Sequence, residues 1–160
     1  MAIALTLERY LDARHVEYDV IEHAPTKSSL ETVETCHIPG DRLAKAVLLR
    51  DEVGYALAVL PASRHIRLAE LKRQFGDDVE LASEREVEDL FQDCERGAVP
   101  AIGECYGLDM VVDESIEEQP EIYFEGGDHE TLVRMSSQQV ADLLAVARHG
   151  RFSRQHWCQV

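Results

Sequence analysis

Two apolar runs on either side of a short turn constrain the fold more than any other stretch. Residues 44–50, AKAVLLR, and residues 55–61, YALAVLP, flank the turn-like sequence DEVG. Short apolar runs that are rich in branched side chains and bounded by turn residues are typical of buried strands. The pattern predicts a central antiparallel hairpin that Pro61 closes.

Short helices and strands alternate around this hairpin. Apolar residues at helical spacing and cap residues predict helices, and apolar runs between turn residues predict strands. The predicted helices are LERYLDARH after a Thr6 cap, the segment that Ser28 and Glu31 open as a capping box, RLAELKRQFG, EREVEDLF after a Ser83–Glu86 capping box, and QQVADLLAVARHG after Ser136 or Ser137, ending at Gly150. The other predicted strands are YDVIEH, DVELA, LDMVVDESI, residues 122–124 and residues 131–135.

This alternation predicts an α+β (mixed α/β) fold. We expect a mixed, largely antiparallel curved sheet of about six or seven strands with surrounding helices. A length of 160 residues with 45% hydrophobic residues suits a single domain spanning 1–160. No G-x-G-x-x-G or P-loop string is present, which argues against nucleotide-cofactor enzymes.

Charge limits the partners of the chain. The 31 acidic and 16 basic residues give a net charge of -15, which argues against a broad basic face for DNA or RNA. Any phosphate contact must be local, and the basic stretches 42–50 and 64–73 offer candidates. No apolar run approaches the ~20 residues that span a bilayer, and charges follow the N-terminus too early for a signal peptide, so a cytoplasmic protein without membrane contact is expected.

The cysteines leave two alternatives open. Cys36, Cys94, Cys105 and Cys158 form no C-x-x-C pair, so reduced thiols are expected and no metal site is predicted. A zinc site assembled from distant residues such as Cys36, His37 and Cys94 is one alternative. A thiolate nucleophile at Cys94 or Cys105 is the other. Trp157 beside Cys158 is interpreted as a packed anchor of the tail.

Two glycine-rich stretches are candidates for chemistry. In GAVPAIG, the backbone N–H groups between Gly97 and Ala101, other than at Pro100, can approach an oxyanion closely because glycine has no Cβ. In EGGDHE, Gly126 and Gly127 interrupt two strands beside His129. By spacing alone, His129 and Asp128 are better explained as solvated turn residues of a hairpin than as site residues. His23 is interpreted as structural, because Pro25 makes its segment a turn.

Seven segments together point to a family. In chain order they are HAPTKSSLE, LAKAVLL, YALAVLPASRHIRLAEL, DVELASEREVEDLF, GAVPAIG, VVDESI and YFEGGDHETLVRMS, between Glu22 and Leu144. This series resembles the YbaK/prolyl-tRNA-synthetase-associated editing domain family, and GDHETLVRM looks closest to its free-standing prolyl-tRNA trans-editing members. The resemblance implies the fold of that family.

The resemblance also implies site residues. Lys45 in LAKAVLL matches a family lysine that contacts phosphate or ribose of the CCA end. His129 in GDHE matches a pocket histidine of alanine-editing members, which implies catalytic roles for Lys45 and His129. The implied substrate-binding residues are Gly97, Ala98, Val99, Pro100, Ala101, Gly126, Gly127 and Asp128. The family loop is often G-x-x-x-P, whereas only two residues separate Gly97 from Pro100 here, so the pocket has its own shape.

The implied function is hydrolysis of the ester on a mischarged tRNA. The tRNA would be the one for proline, carrying a small non-cognate amino acid, and no cofactor is implied. The expected partners are the aminoacyl-CCA end and an aminoacyl-tRNA synthetase, with a monomer as the default. The alternative is a catalytically silent module that binds an aminoacyl-tRNA end or a protein partner.

Overall fold

A computed structural model describes residues 3–155 of the chain. Its helices are α1 (Leu5–Ala13), α2 (Ser29–Cys36), α3 (Leu68–Phe75), α4 (Glu84–Leu90) and α5 (Ser137–Leu143). Its strands are β1 (Asp19–Glu22), β2 (Leu43–Arg50), β3 (Tyr55–Pro61), β4 (Arg64–Ile66), β5 (Glu80–Leu81), β6 (Asp109–Asp113), β7 (Glu121–Glu125), β8 (Thr131–Ser136), β9 (Arg148–Gly150) and β10 (Ser153–Gln155). Short 3-10 turns cover Gly40–Arg42, Glu104–Tyr106 and Glu114–Glu118.

Within residues 3–155, eight strands form one mixed sheet. Its order is β1-β8-β7-β2-β3-β6-β9, and β5 pairs separately with β2, while β4 and β10 form a small second sheet. The pairs β2–β7, β3–β6 and β6–β9 are parallel, and the remaining pairs are antiparallel. The predicted mixed sheet is confirmed. It has one strand more than expected because β9 lies in a segment that was predicted to be helical.

The predicted central hairpin is confirmed. β2 and β3 pair from Ala44 opposite Pro61 to Arg50 opposite Tyr55. The carboxylate of Asp51 accepts hydrogen bonds from the N–H groups at positions 53 and 54, which closes the turn. One apolar cluster covers one face of the hairpin and two others cover its opposite face. Strands buried on both faces are uniformly apolar, which is why this pattern dominates the sequence.

The other edge of β2 is covered only in part. β7 pairs with its first two residues and β5 with its last two. The Leu48 carbonyl accepts a hydrogen bond from the Ala82 N–H, and backbone groups of alternate strand residues point the same way. The N–H and C=O of Ala46 therefore face a gap where no strand of residues 3–155 pairs with them. This gap positions the candidate site.

The predicted helix caps are confirmed at α4 and α5 and only in part at α2. Ser83 and Glu86 form the predicted capping box of α4, and Ser136 forms one with Gln139 at α5. Ser28 caps α2, but the Glu31 carboxylate accepts from the Lys27 N–H rather than from Ser28, so that box is only half formed.

Two predicted element ends were wrong, and long-range contacts explain both. α1 begins at Leu5 without a side-chain cap, and the Thr6 N–H donates instead to Asp93. α5 ends at Leu143 rather than at Gly150, because Arg148–Gly150 adds to the edge of β6 as β9. Tertiary pairing overrides local helix propensity at both places.

The last described strand, β10, pairs with β4. The predicted anchor at Trp157 and Cys158 lies outside the described residues. No helix within residues 3–155 has the length and apolar character needed to cross a membrane.

Candidate functional site

A cavity of about 260 Å³ occupies the gap beside β2. It is near the lower end of the ~300–1,000 Å³ that ligand pockets usually span, so it suits a small ligand group. Its walls come from β2, the start of α2, the β5–α4 segment, the loop at residues 97–99 and the end of β7. The lining residues are Ser29, Lys45, Ala46, Val47, Leu48, Leu81, Ala82, Glu84, Val87, Gly97, Val99 and Glu125.

Lys45 is the cation of this cavity. Its side chain is half-buried, and its ammonium forms no ion pair or hydrogen bond within residues 3–155. Burial lowers the pKa of Lys45, because removal from water disfavours the charged form. Many neighbouring cations of the two basic stretches are occupied: Arg42 pairs with Glu121, Arg50 with Glu80 and Glu86, and Arg73 with Glu70. Unlike these arginines, Lys45 has no anionic partner among residues 3–155.

The glycine-rich loop contributes only two of its predicted residues to the lining, Gly97 and Val99. Ala98, Pro100 and Ala101 are buried behind them. The Ala98 N–H donates to the Glu95 carbonyl at 3.1 Å. No hydrogen bond within residues 3–155 uses the N–H groups of Gly97 and Val99. These two amides are the donors that the loop can offer to an oxyanion.

His129 lies behind this loop and is not one of the residues that line the cavity. It is 8% exposed and has a left-handed backbone, with φ of +61°. Its Nε2–H donates to the Arg96 carbonyl, and its Nδ1 is buried without a partner. The ring packs on Gly97, where an added Cβ would lie 3.2 Å from the ring Cε1. The imidazole thus packs against the loop, while its Nδ1 has no hydrogen-bond partner within residues 3–155.

The structure does not bring Gly126, Gly127 and Asp128 to the cavity. An added Cβ at Gly126 would lie 2.8 Å from the Ile3 side chain, and Gly127, with φ of +124°, packs against Ala4. These glycines allow the N-terminal segment to approach the sheet closely. The Asp128 carboxylate accepts from the N–H at position 130 and from a threonine hydroxyl at position 131, which makes it a turn residue.

Glu125 is a cavity residue that the sequence did not reveal. It is only 3% exposed, and burial raises the pKa of its carboxyl group. The Thr32 hydroxyl lies 3.0 Å from Oε1, while Oε2 is buried without a partner. His23 and His129 are near enough that their charged forms would lower this pKa. The His23 Nε2 is also buried without a partner.

The cysteines do not support the two alternatives based on them. Burial raises the pKa of the Cys94 and Cys105 thiols to about 12, so neither is a thiolate near neutral pH. Neither lines the cavity. Within the described part of the chain, no three His, Cys, Asp or Glu side chains are grouped to hold a metal ion, so the zinc alternative receives no geometric support.

A larger cleft of about 650 Å³ lies between β4, α3 and residues 113–118. It contains several arginines, but Arg64 is held by Ser153, Arg73 by Glu70 and Arg151 by Glu114. Its charges largely neutralise one another. The smaller cavity is the better candidate because it contains a cation, Lys45, and a carboxylate, Glu125, that form no ion pair within residues 3–155.

Comparison with known families identifies a match over most of the chain. A family model for the aminoacyl-tRNA editing domain matches residues 23–143. This span contains every residue that lines the cavity. No curated protein sequence matches the chain.

Solved structures share the fold at low sequence identity. A candidate trans-editing enzyme for prolyl-tRNA synthetase is 22% identical with a TM-score of 0.81, over 94% of this chain and 96% of that one. A hypothetical protein is 21% identical with a TM-score of 0.82, over 93% and 99% of the two chains. A candidate signal transduction protein from Marinobacter aquaeolei is 21% identical with a TM-score of 0.74, over 93% of this chain and 30% of that one.

Proposed function

Because the chain belongs to the aminoacyl-tRNA editing domain family, we propose that it is a trans-editing deacylase that hydrolyses the ester of a mischarged tRNA. The proposed substrate is tRNA for proline that carries a small non-cognate amino acid. The aminoacyl-CCA end is the ligand, and a single 1–160 domain acts as a monomer in the cytoplasm, where the partner synthetase charges tRNA.

One observation carries the proposal: Lys45, whose ammonium has no partner among residues 3–155, lines the same small cavity as Gly97 and Val99, whose N–H groups are unused there. Ester hydrolysis needs a grip on the substrate, donors for the developing oxyanion and an oriented water. Lys45 supplies the grip by pairing with a phosphate of the CCA end. The amides supply the donors, and the neighbouring ribose hydroxyl activates the ester.

His129 has an indirect role in this proposal. Because its ring supports Gly97 from behind, it fixes the direction of the loop amides rather than touching the ester. We therefore treat His129 as a positioning residue. In the silent-module alternative, the same cavity binds an aminoacyl-tRNA end without turnover. One observation favours this alternative: His129, which the resemblance implies to be catalytic, does not line the cavity.

Labelled alanyl-, seryl-, threonyl- and cysteinyl-tRNA for proline, incubated with the protein, tests the function directly. We expect release of at least one amino acid well above the rate in buffer, and weaker substrate binding by Lys45→Ala. Lys72→Ala is the control, since Lys72 lies on α3 away from the cavity. Retention of every aminoacyl-tRNA without release would support the silent module.

His129→Ala separates the positioning role from a structural one. We expect a fall in kcat with little change in KM, because loop direction matters most in the transition state. His15→Ala is the matched control, because His15 has a similar φ of +55° but an exposed side chain. Equal kcat for the wild type and a folded His129→Ala protein across the panel would remove the positioning role.

A further inference from the structure

We infer that Glu125 is the receptor for the α-ammonium group of the aminoacyl ester, an assignment that rests on the proposed function. It predicts that the protein selects esters whose amino group is free and rejects N-acylated ones. The substrate class is thereby narrowed to unblocked aminoacyl-tRNA.

The first observation is that Glu125 carries an unused, buried oxygen. Its Oε2 has no partner, although the side chain is 3% exposed. A buried charged oxygen without a partner is costly, and proteins usually satisfy such groups. The only hydrogen-bonding neighbour of the carboxylate among residues 3–155 is the Thr32 hydroxyl at Oε1. A bound cation that donates hydrogen bonds would satisfy Oε2.

The second observation is that a cation lies close by in the sheet and yet does not pair with Glu125. Ala44 on β2 pairs with Phe124 on β7, and the next residues along these parallel strands are Lys45 and Glu125. Neighbours in register point to the same face of a sheet, so an ion pair would be expected. Instead the strands part at this point, the cavity opens between them, and no ion pair joins the two side chains.

The cavity therefore presents a separated positive and negative group. Because the Lys45 ammonium and the Glu125 carboxylate are not paired with each other, they can bind a ligand that carries a negative group and a positive group at separate positions. An aminoacyl-adenosine end has this character, with an ammonium on the amino acid and a phosphate on the nucleotide. The Lys45 ammonium donates charge-assisted hydrogen bonds to the phosphate, and the Glu125 carboxylate accepts them from the ligand ammonium.

The same arrangement argues against Glu125 as a general base. The Thr32 side of the carboxylate is closed by Thr26, whose hydroxyl lies 2.6 Å from that of Thr32, so Oε2 is the oxygen left for a ligand. An oxygen that accepts hydrogen bonds from the ammonium group cannot at the same time take a proton from a water molecule. A base would also serve blocked and unblocked esters alike. An ammonium receptor discriminates between them, and this difference defines the test.

The test measures binding with amide analogues that cannot be hydrolysed. The probes are the 5′-phosphate of 3′-(L-alanylamino)-3′-deoxyadenosine, which carries both the phosphate and the ammonium group, and its N-acetyl derivative. They are titrated by calorimetry against the wild type, Glu125→Gln and Glu34→Gln. Glu34 is the matched control, an exposed carboxylate on the same helix as Thr32. Hydrogen bonds to charged groups lead us to expect Glu125→Gln to lose about ten- to a hundredfold in affinity for the free amine. Its affinity for the N-acetyl probe should stay low and unchanged.

Three results would overturn the assignment: equal binding of both probes by the wild type, equal losses for both probes in Glu125→Gln, or no binding of either probe. Melting temperatures establish that each variant is folded, and Glu125→Asp, which keeps the charge, should restore part of the discrimination. Hydrolysis of alanyl- and N-acetylalanyl-tRNA is measured in parallel. Glu125-dependent selection of the amine probe without any hydrolysis would uphold the ammonium site while removing the deacylase function.

Discussion

Replacement of Gly97 by alanine tests whether the His129 ring fixes the glycine-rich loop at residues 97–101. Gly97 has φ of +81°, and an added methyl group would lie 3.2 Å from Cε1 and 3.4 Å from Nε2 of His129. Gly107 has φ of +72°, but its added methyl group would meet nothing within 4 Å. The two glycines share a left-handed backbone and differ in free space, so Gly107→Ala is the matched control.

The expected stability losses follow from these contacts. An alanine in the left-handed region costs about 1–2 kcal/mol, which both variants should lose. Gly97→Ala also crowds a buried ring that is hydrogen-bonded to the Arg96 carbonyl, and such overpacking costs about 1–3 kcal/mol more. Since 1 kcal/mol lowers the melting temperature of a domain of this size by about 2–4 °C, Gly97→Ala should melt about 2–12 °C below Gly107→Ala.

Activity and a double variant complete the experiment. Measured well below both melting temperatures, deacylation should fall in Gly97→Ala, because the loop amides move, and stay normal in Gly107→Ala. In a His129→Ala background the ring is absent, so Gly97→Ala should cost no more than Gly107→Ala. Equal melting of the two single variants, or an excess cost at Gly97 that persists without the ring, would refute the reasoning.

Three further outcomes are expected. Burial raises the pKa of Glu125, so its charged form destabilises the folded wild type. Glu125→Gln should therefore have a higher melting temperature than the wild type at pH 7. This difference in melting temperature should shrink toward pH 4, near the unfolded carboxyl pKa of about 4.3. An advantage that grows on acidification would contradict this. Because burial raises the Cys94 pKa to about 12, iodoacetamide at pH 8 should alkylate this thiol much more slowly than an unfolded control, as peptide mass spectrometry reports. Ser83→Ala should lose about 0.5–2 kcal/mol in a denaturant titration, because it removes the acceptor of the α4 capping box, and an unchanged midpoint would count against that cap.

Elements whose determinants lie within a few residues could be predicted from the sequence. The β2–β3 hairpin needs only two apolar runs and a turn that Asp51 closes from within. The α4 cap needs only Ser83 and Glu86. The predictions at Thr6 and at residues 148–150 were wrong because distant residues determine the backbone conformation there. The partner of Thr6 is 87 positions away, and the strand that pairs with residues 148–150 is about 37 positions away.

Some residues of the candidate site could likewise be found from local sequence, and others could not. Lys45 and the loop at residues 97–101 could be proposed because short strings of residues resemble a family. Glu125 escaped notice because it reads as the last residue of an alternating strand, with apolar Ile122 and Phe124 facing the core and glutamate facing water. Its burial depends on Thr32, which is 93 positions away in α2. The sequence did contain one signal that Glu125 is buried. Both faces of the central hairpin are covered, so a carboxylate on a neighbouring strand is expected to be covered as well.

The gap beside β2 explains why a cavity with the polar residues Lys45 and Glu125 lies next to such an apolar strand. An unpaired strand edge invites association with other chains, so proteins normally cover it. Here the uncovered stretch is short, and α4 and the glycine-rich loop close over it. The N–H and C=O of Ala46 are thereby kept from other strands but open to a ligand that enters the cavity. The candidate cavity opens where neither β7 nor β5, among the strands of residues 3–155, pairs with the middle of β2. This is why the sequence of β2 identifies a buried strand but not the opening beside it.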